Sequence, residues 1–302
     1  MSLHAAMQDA CRDVGIQPPR SARPGRWERV PVEGKAPSNR SGAVLIFDDQ
    51  RGGIAHNWTS GQQVRFTAQG AANMQRDPDA ERRRREAAAR RERDRAEVAG
   101  ICQAILDRCT VAHHPYLIAK GFPTEQRLVW DRTGLPDTRT GSSIALALPE
   151  GSEPLLVVPG RSPAGLTTLQ FIADDGAKKN ILGGAMGGSF YRLGSGRETW
   201  VCEGIATALT VQAALKMLGR SASVFCAFSA ANVGQVASEM PGAIIAADHD
   251  APNEHLGGMG AGEYYARRSG REWLMPPAVG DFNDMHAAEG LRAVALALRE
   301  AA

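Results

Sequence analysis

The last third of this 302-residue chain changes rhythm, and that change limits its fold more than any other feature. From about residue 198, short apolar runs (Trp200–Cys202, Val224–Phe228, Ala243–Ala247, Trp273–Met275) alternate with helical stretches (Ile205–Leu218, Ala231–Met240, Gly260–Arg267, Leu291–Ala301). Strands that are apolar at every position need cover on both faces, and helices between them supply it. The pattern predicts an α/β fold over 198–302, a parallel sheet with flanking helices.

Upstream the periodicity differs. Residues 1–70 open with a short helical pattern (Leu3, Met7, Cys11, Val14) that Gly15 and Pro18-Pro19 end. Brief strand-like runs follow, Trp27–Val32, Ala43–Phe47, Gly53–Trp58 and Gln63–Phe66, separated by Asp48-Asp49 and Ser60-Gly61. They read as a small antiparallel meander. Residues 71–110 form a charged linker helix, with pairs such as Glu81/Arg85 and Glu86/Arg90 at helical spacing. Its arginines fit either a solvated face or an arm that contacts nucleic acid. Residues 111–197 return to strands (Ile144–Leu148, Pro154–Val158, Thr167–Ile172, Ser189–Leu193) and form a β-rich first part of the core.

Acidic residues fall where the predicted parallel strands end. Glu203-Gly204 follows Trp200–Cys202, and Asp248-His249-Asp250 follows Ala243–Ala247. A third cluster, Asp281, Asn283 and Asp284, stands beyond Trp273–Met275 and the Pro276-Pro277 break. Open parallel sheets gather reactive groups at this edge. In an extended segment, residues two apart point the same way, so Asp248 and Asp250 can face one cation while His249 points away. Carboxylates grouped without a cation repel one another, and a hard divalent ion held partly by water and phosphate relieves that cost. Asp-x-Asp pairs also cap helices and sit in turns, so their placement after buried strands carries the inference.

The run Val201-Cys202-Glu203-Gly204-Ile205-Ala206-Thr207-Ala208 resembles the glutamate motif of TOPRIM-domain primases of phages and mobile elements such as plasmids. Ala246-Ala247-Asp248-His249-Asp250 is similar to their Asp-x-Asp motif, and Gly280-Asp281-Phe282-Asn283-Asp284 to their third acidic motif. Weaker likeness extends to His114-Pro115-Tyr116-Leu117, Lys120-Gly121, Leu169–Ile172, Lys178-Lys179 and Trp58-Thr59-Ser60-Gly61. The resemblance implies Mg²⁺ or Mn²⁺ on Asp248 and Asp250. Glu203 would be a further ligand or the acid/base, and Asp281 with Asp284 would support a second ion. It implies primer synthesis from nucleoside triphosphates on single-stranded DNA, with Lys178, Lys179, Arg161, Arg192 and Lys120 as candidates for nucleotide or template charge. Two rivals use the same features: a TOPRIM phosphodiesterase or nuclease, and a non-catalytic accessory that binds single-stranded DNA.

The chain departs from the family at its N-terminus, where many such primases carry a cysteine-ligated zinc ribbon. The five cysteines (11, 102, 109, 202, 226) include no C-x-x-C pair, which argues against both a zinc ribbon and a disulfide framework. No Gly-x-x-x-x-Gly-Lys-Ser/Thr loop is present, so unwinding would fall to a separate replicative helicase. No apolar run is long enough to span a bilayer and no signal design precedes Pro19, so a cytoplasmic protein without membrane partners is expected. The aromatics Trp27, Trp58, Tyr116, Phe171 and Tyr191 are either core residues or stacking groups for bases.

Overall fold

A computed structural model describes residues 2–68, 80–135, 147–150 and 154–300. The chain divides into two compact units, residues 1–92 with 252–261 and residues 93–251 with 262–302.

The first unit pairs α1 (Leu3–Asp13) with an antiparallel meander of β1 (Trp27–Val30), β2 (Gly42–Ile46), β3 (Gly52–Asn57) and β4 (Gln63–Thr67). Ser2 starts the helix by accepting the Ala5 N–H at 3.2 Å. Alternation along the strands sends Val30, Val44, Ile46, Ala55 and Phe66 into one core with Met7 and Cys11 of α1. Trp27, Arg29, Ile54, His56 and Arg65 stand at the intervening positions and line the other face.

Helix α2 (Ala80–Leu106) falls within the expected 71–110, of which residues 71–79 lie outside the described residues. Within it Glu86 takes Arg82 as its partner at 3.1 Å, four residues back. From Val98 onward the helix becomes apolar on one side and docks.

The second unit holds two sheets. The first is antiparallel, in the order β5 (Thr110–Ala112), β6 (Arg127–Trp130), β7 (Leu155–Ser162), β8 (Gly165–Ile172), β9 (Lys178–Asn180), with α3 (Pro115–Ala119) between β5 and β6. Of the expected strand Ile144–Leu148, residues 144–146 lie outside the described residues, and Ala147 and Leu148 sit in a turn. Leu155, Val157, Leu169 and Phe171 face Ile101, Cys102 and Ile105 of α2, while Leu156, Val158 and Ile172 face the other way.

The second sheet bears out the α/β expectation. Its elements are β10 (Tyr191–Leu193), β11 (Glu198–Cys202), α4 (Ile205–Met217), β12 (Ala222–Cys226), α5 (Ala230–Glu239), β13 (Ala243–Ala246), α6 (Ala261–Ser269), β14 (Glu272–Leu274), α7 (Phe282–Glu289) and α8 (Leu291–Arg299). The strand order is β10-β12-β11-β13-β14, parallel except for β10 at the edge. Trp200, Cys202, Val224 and Ile244 pack against α4, α7 and α8, and against Leu156 and Ile172 of the antiparallel sheet. Val201, Phe225 and Ile245 pack on the opposite face under α5 and α6. Cover on both faces explains why these strands are apolar throughout. Among the described residues, no helix is long and apolar enough to cross a membrane.

Asn232 in α5 secures the strand ends. Its Nδ2 donates to the carbonyls of Ser189 at 2.7 Å and Ala227 at 2.8 Å, and its Oδ1 accepts the Gly188 N–H at 2.7 Å. All three partners lose this buried group in Asn232→Ala. That variant should lose about 3 kcal/mol of stability, measured by urea unfolding followed through tryptophan fluorescence.

Candidate metal and phosphate-ester site

Strand register builds the site. Cys202 lies level with Cys226 on one side and Ala246 on the other, and Ala246 lies level with Leu274. The residues that follow therefore leave the sheet along one edge. Glu203 comes off β11, and Asp248 comes two residues after β13. A bridge between His249 and Gly280 (N–H to carbonyl distances of 2.9 and 3.0 Å) brings Asp281 to the same edge. His249 itself turns aside, donating from Nδ1 to the Pro276 carbonyl at 2.9 Å.

The carboxylates at this edge repel one another in a poorly solvated place. Burial, and then the charges of Glu203, Asp281 and Asp250, push Asp248 up to about 8. Burial, and then Asp250, push Glu203 up to about 7, against the pull of Lys178 and of the Ala230 N–H at the start of α5. Asp248 Oδ1 is buried with no hydrogen-bond partner among the described residues. Asp250 is exposed, and its Oδ2 accepts the Gly262 N–H at 2.7 Å where α6 begins.

Asp281 and Asp284 have a local task. Asp281 caps α7, accepting the N–H groups of Asn283 at 2.7 Å and Asp284 at 2.9 Å, while Asp284 returns to the Asp281 N–H at 3.1 Å. This is a capping box. Asp281 still adds its charge to Asp248, whereas Asp284 is exposed and lies 3.7 Å from the Lys120 ammonium.

Of the five basic candidates, the structure brings Lys178 to the carboxylates. It is an exposed residue of β9, yet its Nζ would stand 3.9 Å from a Cβ placed on Gly204, and 5.8 Å from the centre of the Tyr116 ring. Desolvation pulls its pKa down, but Tyr116, Cys226 and Asp281 outweigh that and hold it raised. Lys120 is taken up with Asp284. Arg192 donates to Ser223 Oγ at 2.9 Å and covers the Phe225 ring. Lys179 and Arg161 are exposed, Lys179 level with Phe171 on the neighbouring strand and Arg161 joined through its backbone to Phe190.

Three contributors were not singled out from sequence for these roles. A Cβ at Gly262 would drive into the Asp248 carbonyl, so only glycine lets α6 start against the Asp-x-Asp segment. Phe228 adopts φ +69°, a conformation disfavoured for a bulky residue, and its N–H meets the Glu203 carbonyl at 2.8 Å. Tyr116 is 3% exposed, and it is the largest favourable influence on the Lys178 ammonium beside it. Each depends on contacts distant in sequence, and the sequence carries no local signal for them. Cys202 and Cys226 are inert beside Glu203, since burial holds Cys226 at about 12 and raises Cys202 well above the ordinary thiol range.

Among the described residues, no three Asp, Glu, His or Cys side chains converge into a closed metal cage. A hard divalent ion does not require one, because Mg²⁺ keeps several waters and takes one or two carboxylates with substrate phosphate. The donor set fits such an ion: oxygen ligands only, an unpartnered oxygen on Asp248, and repulsion that a cation would relieve.

Both raised carboxyl groups keep protons in the folded state that the unfolded chain has already released. Their stabilising contribution is present below about pH 4 and is lost as pH rises through about 7 to 8. Metal-free protein should therefore melt at a lower temperature at pH 8 than at pH 5.5, by roughly 3 °C or more. Asp248→Asn should flatten that loss, and Mg²⁺ should raise the melting temperature of the wild type but not of the variant. Gly262→Ala should weaken the Mg²⁺-induced shift by pushing the Asp248 backbone out of position, read by the same melting curves.

Residues 198–292 match the sequence model of the Toprim domain family. Among solved structures, the chain is similar to the primase fragment of the bacteriophage T7 primase-helicase protein at 11% identity and a TM-score of 0.40, over 90% of this chain and 99% of that one. It is also similar to a chain from the structure of bacteriophage T7 lagging-strand DNA polymerase with two primase domains bound to an RNA/DNA hybrid and dTTP. There the identity is 13% and the TM-score 0.38, over 65% of this chain and 90% of that one. The matched segment spans β11 to the start of α8, so the parallel sheet and its acidic edge form a Toprim-type domain.

Proposed function

We propose that the protein is a primase-like nucleotidyltransferase that joins nucleotides into short primers on single-stranded DNA with the help of a divalent metal. The observation that carries this reading is the acidic edge itself: Glu203, Asp248 and Asp281 repel one another at the strand ends of a Toprim-type sheet, with the Lys178 ammonium beside them. Clustered carboxylates of this kind serve phosphate chemistry and would only weaken a passive binder.

In the proposed reaction a primer hydroxyl attacks the α-phosphorus of a nucleoside triphosphate. A new P–O bond forms, the bond to the β-phosphate oxygen breaks, and pyrophosphate leaves. The proton of the attacking hydroxyl passes to a Glu203 carboxylate oxygen, which its raised pKa near 7 suits for holding a proton at neutral pH. Lys178 would lie against the triphosphate, and its raised pKa keeps it charged there. Asp248 and Asp250 would hold Mg²⁺ or Mn²⁺, with Asp281 as a further oxygen donor. A bound divalent ion supplies charge stabilisation for the attacking and leaving oxygens. Asp284 is proposed to support a second ion only after leaving the α7 cap and Lys120.

Purified protein incubated with single-stranded DNA, labelled nucleoside triphosphates and Mg²⁺ or Mn²⁺ should give short labelled ladders on a denaturing gel. Asp248→Ala should abolish them, and Glu203→Gln and Lys178→Ala should each lower the rate about a hundredfold or more. Shortened template without ladders would identify a nuclease instead, and unchanged nucleotides with intact binding of DNA would identify an accessory protein.

A further inference from the structure

The open face of the first unit's sheet carries a group of features that the acidic site does not use. Trp27 is 38% exposed and Trp58 52% exposed, large fractions for the two bulkiest side chains of this unit. They are neighbours, with ring centres 6.5 Å apart, and His56 joins them at 6.4 Å from Trp27 and 4.0 Å from Trp58. Register explains the cluster. Arg29, Ala43, His56 and Gln63 form one row across the four strands, and Trp27, Leu45, Ile54 and Arg65 form the next. His56 thus stands one row from Trp27 on the same face, and Trp58, two residues beyond it, completes the group.

The cluster is held in place. The Trp58 backbone N–H donates to the Ser41 carbonyl at 2.7 Å. The buried Asn57 before it donates from Nδ2 to the Val14 carbonyl at 2.8 Å and accepts the Thr59 N–H at 3.0 Å. Arg29 stands against the cluster, 5.2 Å from the Trp58 ring centre, and Arg65 lies in the next row, 4.9 Å from the ring centre of Phe47. Between residues 20 and 65 basic residues outnumber acidic ones eight to four. Of those acids, Glu28 sits at a strand position on the α1 side of the sheet, and Asp48 and Asp49 lie in the β2–β3 turn.

We infer that this face is a binding platform for single-stranded DNA, with Trp27 and Trp58 stacking on bases and Arg29 and Arg65 taking phosphates. Every base has a stacking face, so rigid aromatic rings bind a single strand with little regard to sequence, while guanidinium groups track its backbone. A duplex hides its base faces and would lose the stacking term. The choice of DNA as the strand rests on the proposed function, but binding here does not require the carboxylates.

Fluorescence anisotropy of the full-length protein in EDTA, with a labelled oligodeoxythymidylate, an abasic strand of equal length and a duplex, tests this. The intact single strand should bind tightest. Trp58→Ala and Trp27→Ala should each weaken it about five- to hundredfold, with Trp58→Phe retaining most of the affinity. Arg29→Ala with Arg65→Ala should make binding less steeply dependent on salt. Equal binding of the abasic strand, or tryptophan variants that bind like the wild type, would overturn the platform. So would a sedimentation result in which Trp58→Ala turns a self-associated protein into monomers. Binding is read in EDTA, without the metal that primer synthesis needs, so failed primer synthesis and a failed platform give different results.

Discussion

Like-charged carboxyl groups must sit together at the edge of the parallel sheet, and much of the second unit is arranged around that requirement. Register fixes where Glu203 and Asp248 emerge, so neither can move away without breaking pairing along β11 or β13. The neighbouring chain then limits the cost. The α5 N-terminus offers Glu203 the Ala230 N–H, α6 offers Asp250 the Gly262 N–H, and α7 is capped by Asp281 itself. Each helix turns its electropositive end toward the acids, the favourable orientation for a helix dipole. Asp248 remains the least compensated member, with one buried oxygen unpartnered among the described residues. That residual instability points to an external cation, because a purely structural cluster would have been closed by a hydrogen bond.

The antiparallel sheet belongs to this arrangement as much as the parallel one does. Its Leu156, Val158 and Ile172 share a core with Trp200, Cys202 and α4, so the two sheets are packed together and do not merely follow one another in the chain. That packing sets β9 beside the β11–α4 turn, where Lys178 supplies the ammonium that the acids lack. The charge balance of the site therefore depends on a contact between segments about 25 residues apart in different sheets.

This dependence explains what the sequence made legible and what it did not. The parallel strands and their acidic ends could be read because burial on both faces writes continuous apolar runs such as Ala243–Ala247, a local signal. The meander was legible through a different local signal, alternation and turn residues. Asp281 and Asp284 could be placed at the edge, but their mutual capping box was not foreseen, since an acid three residues before another serves metal and helix caps equally well. Among the basic residues, Lys178 and Lys179 are adjacent and chemically identical in sequence. Strand alternation sends them to opposite faces, and tertiary packing sets Lys178 beside Tyr116 while Lys179 lies level with Phe171 on the α2 side. Gly262 and Phe228 carry no local mark, because their importance lies in which backbone stands opposite them.

The first unit builds its core from one helix and one face of a small sheet. Small β-rich modules with little core need zinc or disulfides to stay folded. Here α1 covers one whole face, and Met7, Cys11, Val44, Ala55 and Phe66 supply the core that ligated cysteines would otherwise replace. Cys11 is the single cysteine of residues 1–92, buried and held at about 12, so it acts as a packing residue rather than as a thiolate ligand. Putting the helix on one face leaves the other without need of ligand loops. Trp27, His56 and Trp58 can then occupy it in a fixed geometry, held by Asn57 and Ser41. The apolar core and the exposed rings are thus two results of one strand alternation, which separates what folds this unit from what it offers to a partner.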